Sequence, residues 1–135
     1  MNVAWADTNI LLRHLSGEPA ALAKRANRAI EDAKAGRLRL RVPTEIVCEL
    51  VFVLGGKTFG YTRAEIADRL TVLLTTQGIE PEETDVCLVA LQRMGELGVP
   101  FVDALLATRA QQADEPVVTL DERDFPRLGV ALRPI

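Results

Sequence analysis

Short apolar runs alternate along this chain with longer stretches of helical periodicity. Asn2–Ala6 reads as a short apolar strand, followed by a brief helix over Thr8–Leu15. Glu18–Ala35 sets Leu22, Ala26, Ala29, Ile30 and Ala33 on one side, with Lys24, Arg25, Arg28 and Glu31 around the rest. That spacing predicts an amphipathic helix, ended by Gly36. Leu38–Val42 alternates with period two, so it predicts a strand with one wet face. Pro43 and Thr44 stop that strand, and Thr44 is the expected N-cap of a helix over Glu45–Leu54. Gly55, Gly56 and Gly60 mark a turn. Thr62 then caps a helix over Arg63–Thr76, with Ile66, Leu70, Leu73 and Leu74 at helical spacing. Gly78–Pro81 leaves room for a very short strand. Glu82–Asp85 is an acidic start to a helix over Val86–Leu97, and Phe101 opens another that runs to about Gln112. Val117–Leu120 predicts a strand, and Val130–Leu132 a last edge strand. Strands alternating with helices predict an α/β fold: one domain over residues 1–135, with a central, mostly parallel sheet flanked by helices on both faces.

Composition narrows the chemistry. At 135 residues, 48% hydrophobic and 26% charged, the chain can bury one sizeable core. A net charge of −3 argues against a general, charge-driven nucleic-acid binder, so any nucleic-acid contact must be local. Cys48 and Cys87 lie in apolar helical contexts without a CxxC pairing and read as buried, reduced thiols. No basic leader and no apolar stretch of membrane-spanning length is present, so the expectation is a soluble, cytoplasmic protein with no membrane partner. His14 is the only histidine, which removes most support for histidine-based catalysis, and it reads as packed or partly exposed. Trp5, inside the first strand, reads as core.

Four carboxylates stand in unusually apolar text. Asp7 ends Val3–Ala6, Glu49 is the only charge in Ile46–Leu54, Asp103 sits within Phe101–Ala107, and Asp121 closes Val117–Leu120. An unpaired ionised carboxylate among apolar groups costs on the order of 2–5 kcal/mol. Four such residues point to a shared site for a hard cation. Ligands in open α/β sheets bind beyond the carboxyl ends of the strands, and Asp7 and Asp121 each follow a predicted strand. Were those strands neighbours, the two carboxylates would converge, with Glu49 and Asp103 reaching over from helices. Oxygen ligands without His or Cys suit Mg²⁺ or Mn²⁺. In this reading Asp7 and Asp103 hold the principal ion, while Asp121 and Glu49 complete its shell and orient a water.

The local text then resembles a known family. Asp7-Thr8-Asn9-Ile10-Leu11-Leu12-Arg13 looks like the opening of a PIN domain, and Glu45–Leu54 like its second acidic helix. Phe101–Ala107 resembles the third motif and Thr119-Leu120-Asp121-Glu122-Arg123-Asp124-Phe125 the fourth. The likeness runs from Asn2 to about Leu132 and is nearest to the VapC toxins of toxin–antitoxin pairs. It implies a Mg²⁺- or Mn²⁺-dependent endoribonuclease that forms a homodimer and is held by a small cognate antitoxin. It also maps the catalytic and metal-binding acids onto Asp7, Glu49, Asp103 and Asp121, and accessory groups onto Thr8, Asn9 and Thr119. Some relatives carry a further acid near the third motif, where this chain has Pro100.

Each residue also has an ordinary structural reading. Asp7 can cap the helix after it, Asp121 can head an Asx-turn, and Asp103 can answer a helix dipole. Glu45, four residues before Glu49, can replace it as the outer acid or serve its own helix dipole. Asp124 reads as a turn residue near enough to Asp121 to support it. Lys24, Arg25, Arg28, Lys34, Arg37, Arg39 and Arg41 place 7 of the 16 cations within 18 residues, either as a solvated face or as a guide for an RNA backbone. Arg13 is close enough in sequence to Asp7 to meet a phosphate or an antitoxin carboxylate. Scarce aromatics argue against extended base stacking. Two other function classes remain open: a catalytically silent PIN-like binding module acting through its partner surface, and an aspartate-based phosphate-processing enzyme. The second normally needs a late Lys, and none follows Lys57. The apolar helices at Ile46–Leu54 and Ile66–Leu74 are the expected contacts of a homodimer.

Overall fold

A computed structural model describes residues 2–135. In chain order the elements are β1 (Asn2–Trp5), α1 (Thr8–Ser16), α2 (Ala20–Lys34), β2 (Leu38–Val42), α3 (Thr44–Leu54) and α4 (Arg63–Leu74). They continue with β3 (Ile79–Pro81), α5 (Thr84–Leu97), α6 (Phe101–Gln112) and α7 (Asp124–Leu128). The three strands form one parallel sheet in the order β1-β2-β3.

Register explains the two faces of that sheet. Ala4, Leu40 and Ile79 are directly paired and point inward, where Leu40 and Ile79 are buried against α2 and α4. One residue on, Trp5, Arg41 and Glu80 are paired in the same way on the opposite face, beside Val3 and Arg39. That face is polar and wet. Trp5 is 65% exposed and is therefore not core, contrary to its apolar sequence setting. β1 pairs only with β2, so it holds an edge of the sheet.

The core lies among helices as much as against the sheet. Leu11, Ile30, Leu50, Leu54, Leu70, Leu91 and Met94 are fully buried. α5 packs between α4 and α6, while α1 packs on α2 and α3. A polar clamp ties these two helix groups together. The Glu83 carboxylate accepts from Thr44 Oγ1 at 2.8 Å and from Nε (2.9 Å) and Nη2 of the Arg109 guanidinium. It joins the starts of α3 and α5 to the end of α6. The Arg109 hydrogen bond is the main reason the Glu83 carboxyl lies below its ordinary value, against the opposing effect of burial.

Several element boundaries differ from the sequence reading. Thr62 does cap α4, in a full capping box with Glu65. Thr44 does not cap α3: it is the first helical residue, and its hydroxyl is spent on Glu83. Val117–Leu120 and Val130–Leu132 contribute only an isolated parallel bridge, Val117 to Leu132, and neither joins the sheet. Side-chain acceptors explain this. Thr119 Oγ1 takes the Asp121 N–H, and Asp121 Oδ1 takes those of Arg123 and Asp124, so the backbone turns where a ladder would need it straight. The turn starts α7, a short helix absent from the sequence reading. Cys48 and Cys87 are free thiols, but only Cys87 is buried, where burial pushes its thiol up to about 11; Cys48 is half-buried, not buried as its apolar setting suggested. No helix among the described residues is long and apolar enough to cross a membrane.

Candidate functional site

Asp103, Asp121 and Asp124 converge. One carboxylate oxygen from each lies within 4.8 Å of the others, and all three residues are half-buried. Two local devices bring them there. α6 begins at Phe101, which places Asp103 in its first turn, where the helix dipole favours an anion. Asp121 folds the chain over itself by accepting from the Arg123 N–H at 2.8 Å and the Asp124 N–H at 2.9 Å. The residue three positions on is thereby drawn back beside it.

The three carboxyls differ in character. Those backbone N–H groups, Asp124's foremost, hold the Asp121 carboxyl below its ordinary value. Burial raises that of Asp103, and the negative charges of Asp121 and Asp124 raise it further, with Arg63 opposing. Asp124 also pairs with Arg127 at 3.6 Å. An all-oxygen donor set with one carboxylate held reluctantly charged suits a hard divalent cation, which would relieve the repulsion.

A second group stands where the chain leaves β1. Ala6 N–H completes the sheet by donating to Arg41 O at 2.9 Å, and the chain then turns. Asp7 Oδ1 accepts from Ile10 N at 3.0 Å, so Asp7 is the N-cap of α1. Thr8 Oγ1 donates to Glu49 Oε2 at 2.9 Å, which ties the start of α1 to the middle of α3. Glu49 thus has a partner across the fold, whereas Glu45 lies exposed in the first turn of α3. A cleft of about 290 Å³ beside Asp7 is lined by Asn9, Arg13, Leu22 and Arg25. Arg13 Nη1 donates to Glu18 O at 3.1 Å, and its buried Nε has no partner.

The four acids singled out in the sequence are held by different contacts. Asp103 and Asp121 meet in the three-carboxylate cluster, and Glu49 is tied through the Thr8 hydroxyl to the start of α1, next to Asp7. Asp7 and Asp121 do not stand on neighbouring strands, because the segment before Asp121 is outside the sheet. Asp124 is a full member of the cluster, a larger part than a supporting turn residue. Its signal was present in the Asp-x-x-Asp spacing, since a capping Asp draws the third residue after it close. Arg25 was submerged in the basic run. Of that run, Lys34, Arg37 and Arg39 are spent in ion pairs with Glu31, Asp32 and Glu80. His14 Nδ1 lies 2.6 Å from Asn27 Oδ1, which occupies that ring nitrogen.

No curated protein sequence matches this chain. A solved structure, VapBC2 from Rickettsia felis bound to a DNA fragment from its promoter, is similar at 14% identity. The likeness covers 97% of each chain with a TM-score of 0.37. The family model for the PIN domain matches residues 5–131, an interval that contains all of these acids and the turn joining Asp121 to Asp124. This chain belongs to the PIN-domain family.

Proposed function

We propose that this protein is a metal-dependent endoribonuclease, the toxin of a toxin–antitoxin pair, that hydrolyses RNA phosphodiester bonds with Mg²⁺ or Mn²⁺. The convergence of Asp103, Asp121 and Asp124 within a PIN domain, a family whose members are generally nucleases, is the observation that carries this reading. Those three carboxylates would hold the cation. When bound, it supplies a Lewis acid for a phosphate oxygen and offsets the charge of the cluster. Asp121, kept ionised by two N–H groups, is the permanent anion of the set. Burial and the neighbouring charges of Asp121 and Asp124 raise the Asp103 carboxyl, so a bound cation would relieve that repulsion. Glu49 gives one oxygen to the Thr8 hydroxyl and keeps Oε1 to orient an attacking water and take its proton. Asp7 fixes the mouth of the cleft, where Arg13 and Arg25 bind phosphate. Lys24 and Arg28, exposed on α2, extend that basic path for the RNA backbone.

Purified protein with single-stranded RNA decides the matter. Cleavage with Mg²⁺, abolished by EDTA and restored by excess Mg²⁺, is the expected result. No cleavage of any RNA under both conditions would sink the nuclease reading and leave the silent binding module. A small antitoxin would block the site with an Arg side chain laid against the acids.

Assembly follows from apolar surface, and α3, one of the two helices expected from the sequence, carries much of it. Ile66, Leu70, Leu73 and Leu74 of α4 are buried within the chain. Exposed apolar groups include Phe52 on α3, 82% exposed, Val102 and Leu106 on α6, and Val72 on the outer side of α4. Phe52 and Val102 also flank a cleft of about 360 Å³ together with Val51 and Phe101. A homodimer through α3 and α6 would cover this patch. Light scattering at tens of micromolar should give twice the chain mass, and Phe52→Glu should halve it. A wild-type monomer at that concentration refutes the dimer.

A further inference from the structure

We infer that Trp5 and Arg41 form a platform on which one unpaired base of single-stranded RNA stacks beside the catalytic cleft; the inference rests on the ribonuclease reading above. Trp5 is the last residue of β1, two positions before Asp7, and is 65% exposed. A large apolar ring left in water forgoes the burial that places most tryptophans against a core. With Ala4 and Ala6 turned inward, strand alternation puts Trp5 on the outer face of the edge strand, which no helix of the described residues covers. The Arg41 guanidinium lies 5.5 Å from the centre of the Trp5 ring. Its Nε is buried with no hydrogen-bond partner, whereas Arg39 on the same face is held by Glu80 through Nε and Nη2. The pair thus presents an aromatic ring beside a planar cation that no carboxylate among the described residues occupies.

The surroundings select a base over a phosphate. Trp5 and Arg41 line a cleft of about 240 Å³ with Pro43, Pro81, Glu80 and Glu82. That volume is below the range of roughly 300–1,000 Å³ usual for small-molecule sites, and it accommodates a single ring system. The carboxylates of Glu80 and Glu82 repel a phosphodiester but not a neutral base. Aromatic and guanidinium planes are the surfaces on which proteins stack splayed RNA bases. The backbone would then run from the basic α2 side past Asp7, with a neighbouring base turned onto Trp5. This gives a chain with few aromatics one stacking position at the carboxyl edge of the sheet.

Trp5 is the only tryptophan, so its fluorescence reports the contact directly. Wild-type protein in EDTA, where RNA stays intact, is titrated with a short oligoadenylate and with an abasic oligomer of equal length. Saturable quenching by the first and none by the second is expected. Trp5→Ala should weaken oligoadenylate binding, measured by anisotropy, roughly 5- to 150-fold, while Trp5→Phe keeps most of the affinity. Equal quenching by the abasic oligomer, or unchanged affinity in Trp5→Ala, overturns the platform. If Trp5→Ala does not fold, the wild-type quenching contrast decides alone. Cleavage in Mg²⁺ is read separately. A wild type that quenches but never cuts keeps the platform and loses the nuclease. A wild type that cuts without quenching keeps the nuclease and loses the platform.

Discussion

Asp103→Asn is expected to reduce RNA cleavage by at least ~100-fold, the scale on which even indirect supports of a metal site act, without destabilising the protein in EDTA at neutral pH. The sign comes from the environment of the carboxyl. Burial and the charges of Asp121 and Asp124 raise it, so the folded state holds the Asp103 proton more tightly than the unfolded chain does. That contribution to stability is complete below the ordinary carboxyl value of 3.8. It is lost as pH rises through the raised folded value, and by neutral pH the ionised group opposes folding. Asn keeps the shape and removes the charge. Melting in EDTA should therefore be unchanged or higher at neutral pH, and the wild type should lose stability with rising pH across the acid window where the variant does not. Addition of Mg²⁺ should raise the wild-type melting temperature and leave the variant's nearly fixed, because ligand-linked stabilisation needs an intact site. A first-turn Asp serving only the α6 dipole predicts the reverse, a loss of roughly 0.3–1 kcal/mol with cleavage retained. Thermal melts with EDTA and with Mg²⁺, alongside a cleavage assay, separate the two.

Gly78→Ala should be the most destabilising single-methyl change outside the core, by about 2–5 kcal/mol. Gly78 adopts φ +83°, a conformation that costs an L-residue about 1–2 kcal/mol. A Cβ there would stand 2.3 Å from Ala33 O and 2.8 Å from Ala33 Cα, and backbone atoms at the end of α2 cannot swing aside as a side-chain tip can. Overpacking of that kind adds a further ~1–3 kcal/mol. The same residue matters to the sheet, since Gly78 O accepts from Leu40 N at 2.8 Å at the start of the β2–β3 pairing. Denaturant melts should show a lower midpoint with cleavage reduced in proportion to the folded fraction. A midpoint within about 0.5 kcal/mol of wild type, the range of ordinary surface substitutions, would mean that α2 can retreat from this turn.

Elements whose signals are local were legible in the chain itself. The period-two run Leu38–Val42, the Thr62/Glu65 capping box and the helical spacing of Ile66, Leu70 and Leu73 each depend on neighbours within a few residues, and each appears where expected. The acids Asp103 and Asp121 were visible for the same reason, as charges set in apolar text. Asp7 and Glu49 were visible too, yet whether four acids form one group depends on which elements become neighbours. Such neighbours are made between residues far apart in the chain, such as Thr8 and Glu49 across 41 positions and Thr44 and Glu83 across 39. Val117–Leu120 shows the limit most plainly. Its composition is that of a strand, but the Thr119 and Asp121 side chains take the N–H groups that extension would need, and Asp124 is drawn into the cluster as a result. Trp5 shows it again, because hydropathy assigns a ring to the core without knowing which face of an edge strand receives a helix. The sequence by itself determined the element types and the chemistry of the acids, since propensity, capping and charge act over one turn or one strand. Their partners, and the side of the sheet left open to solvent, were decided only by tertiary packing, which alone establishes long-range neighbours.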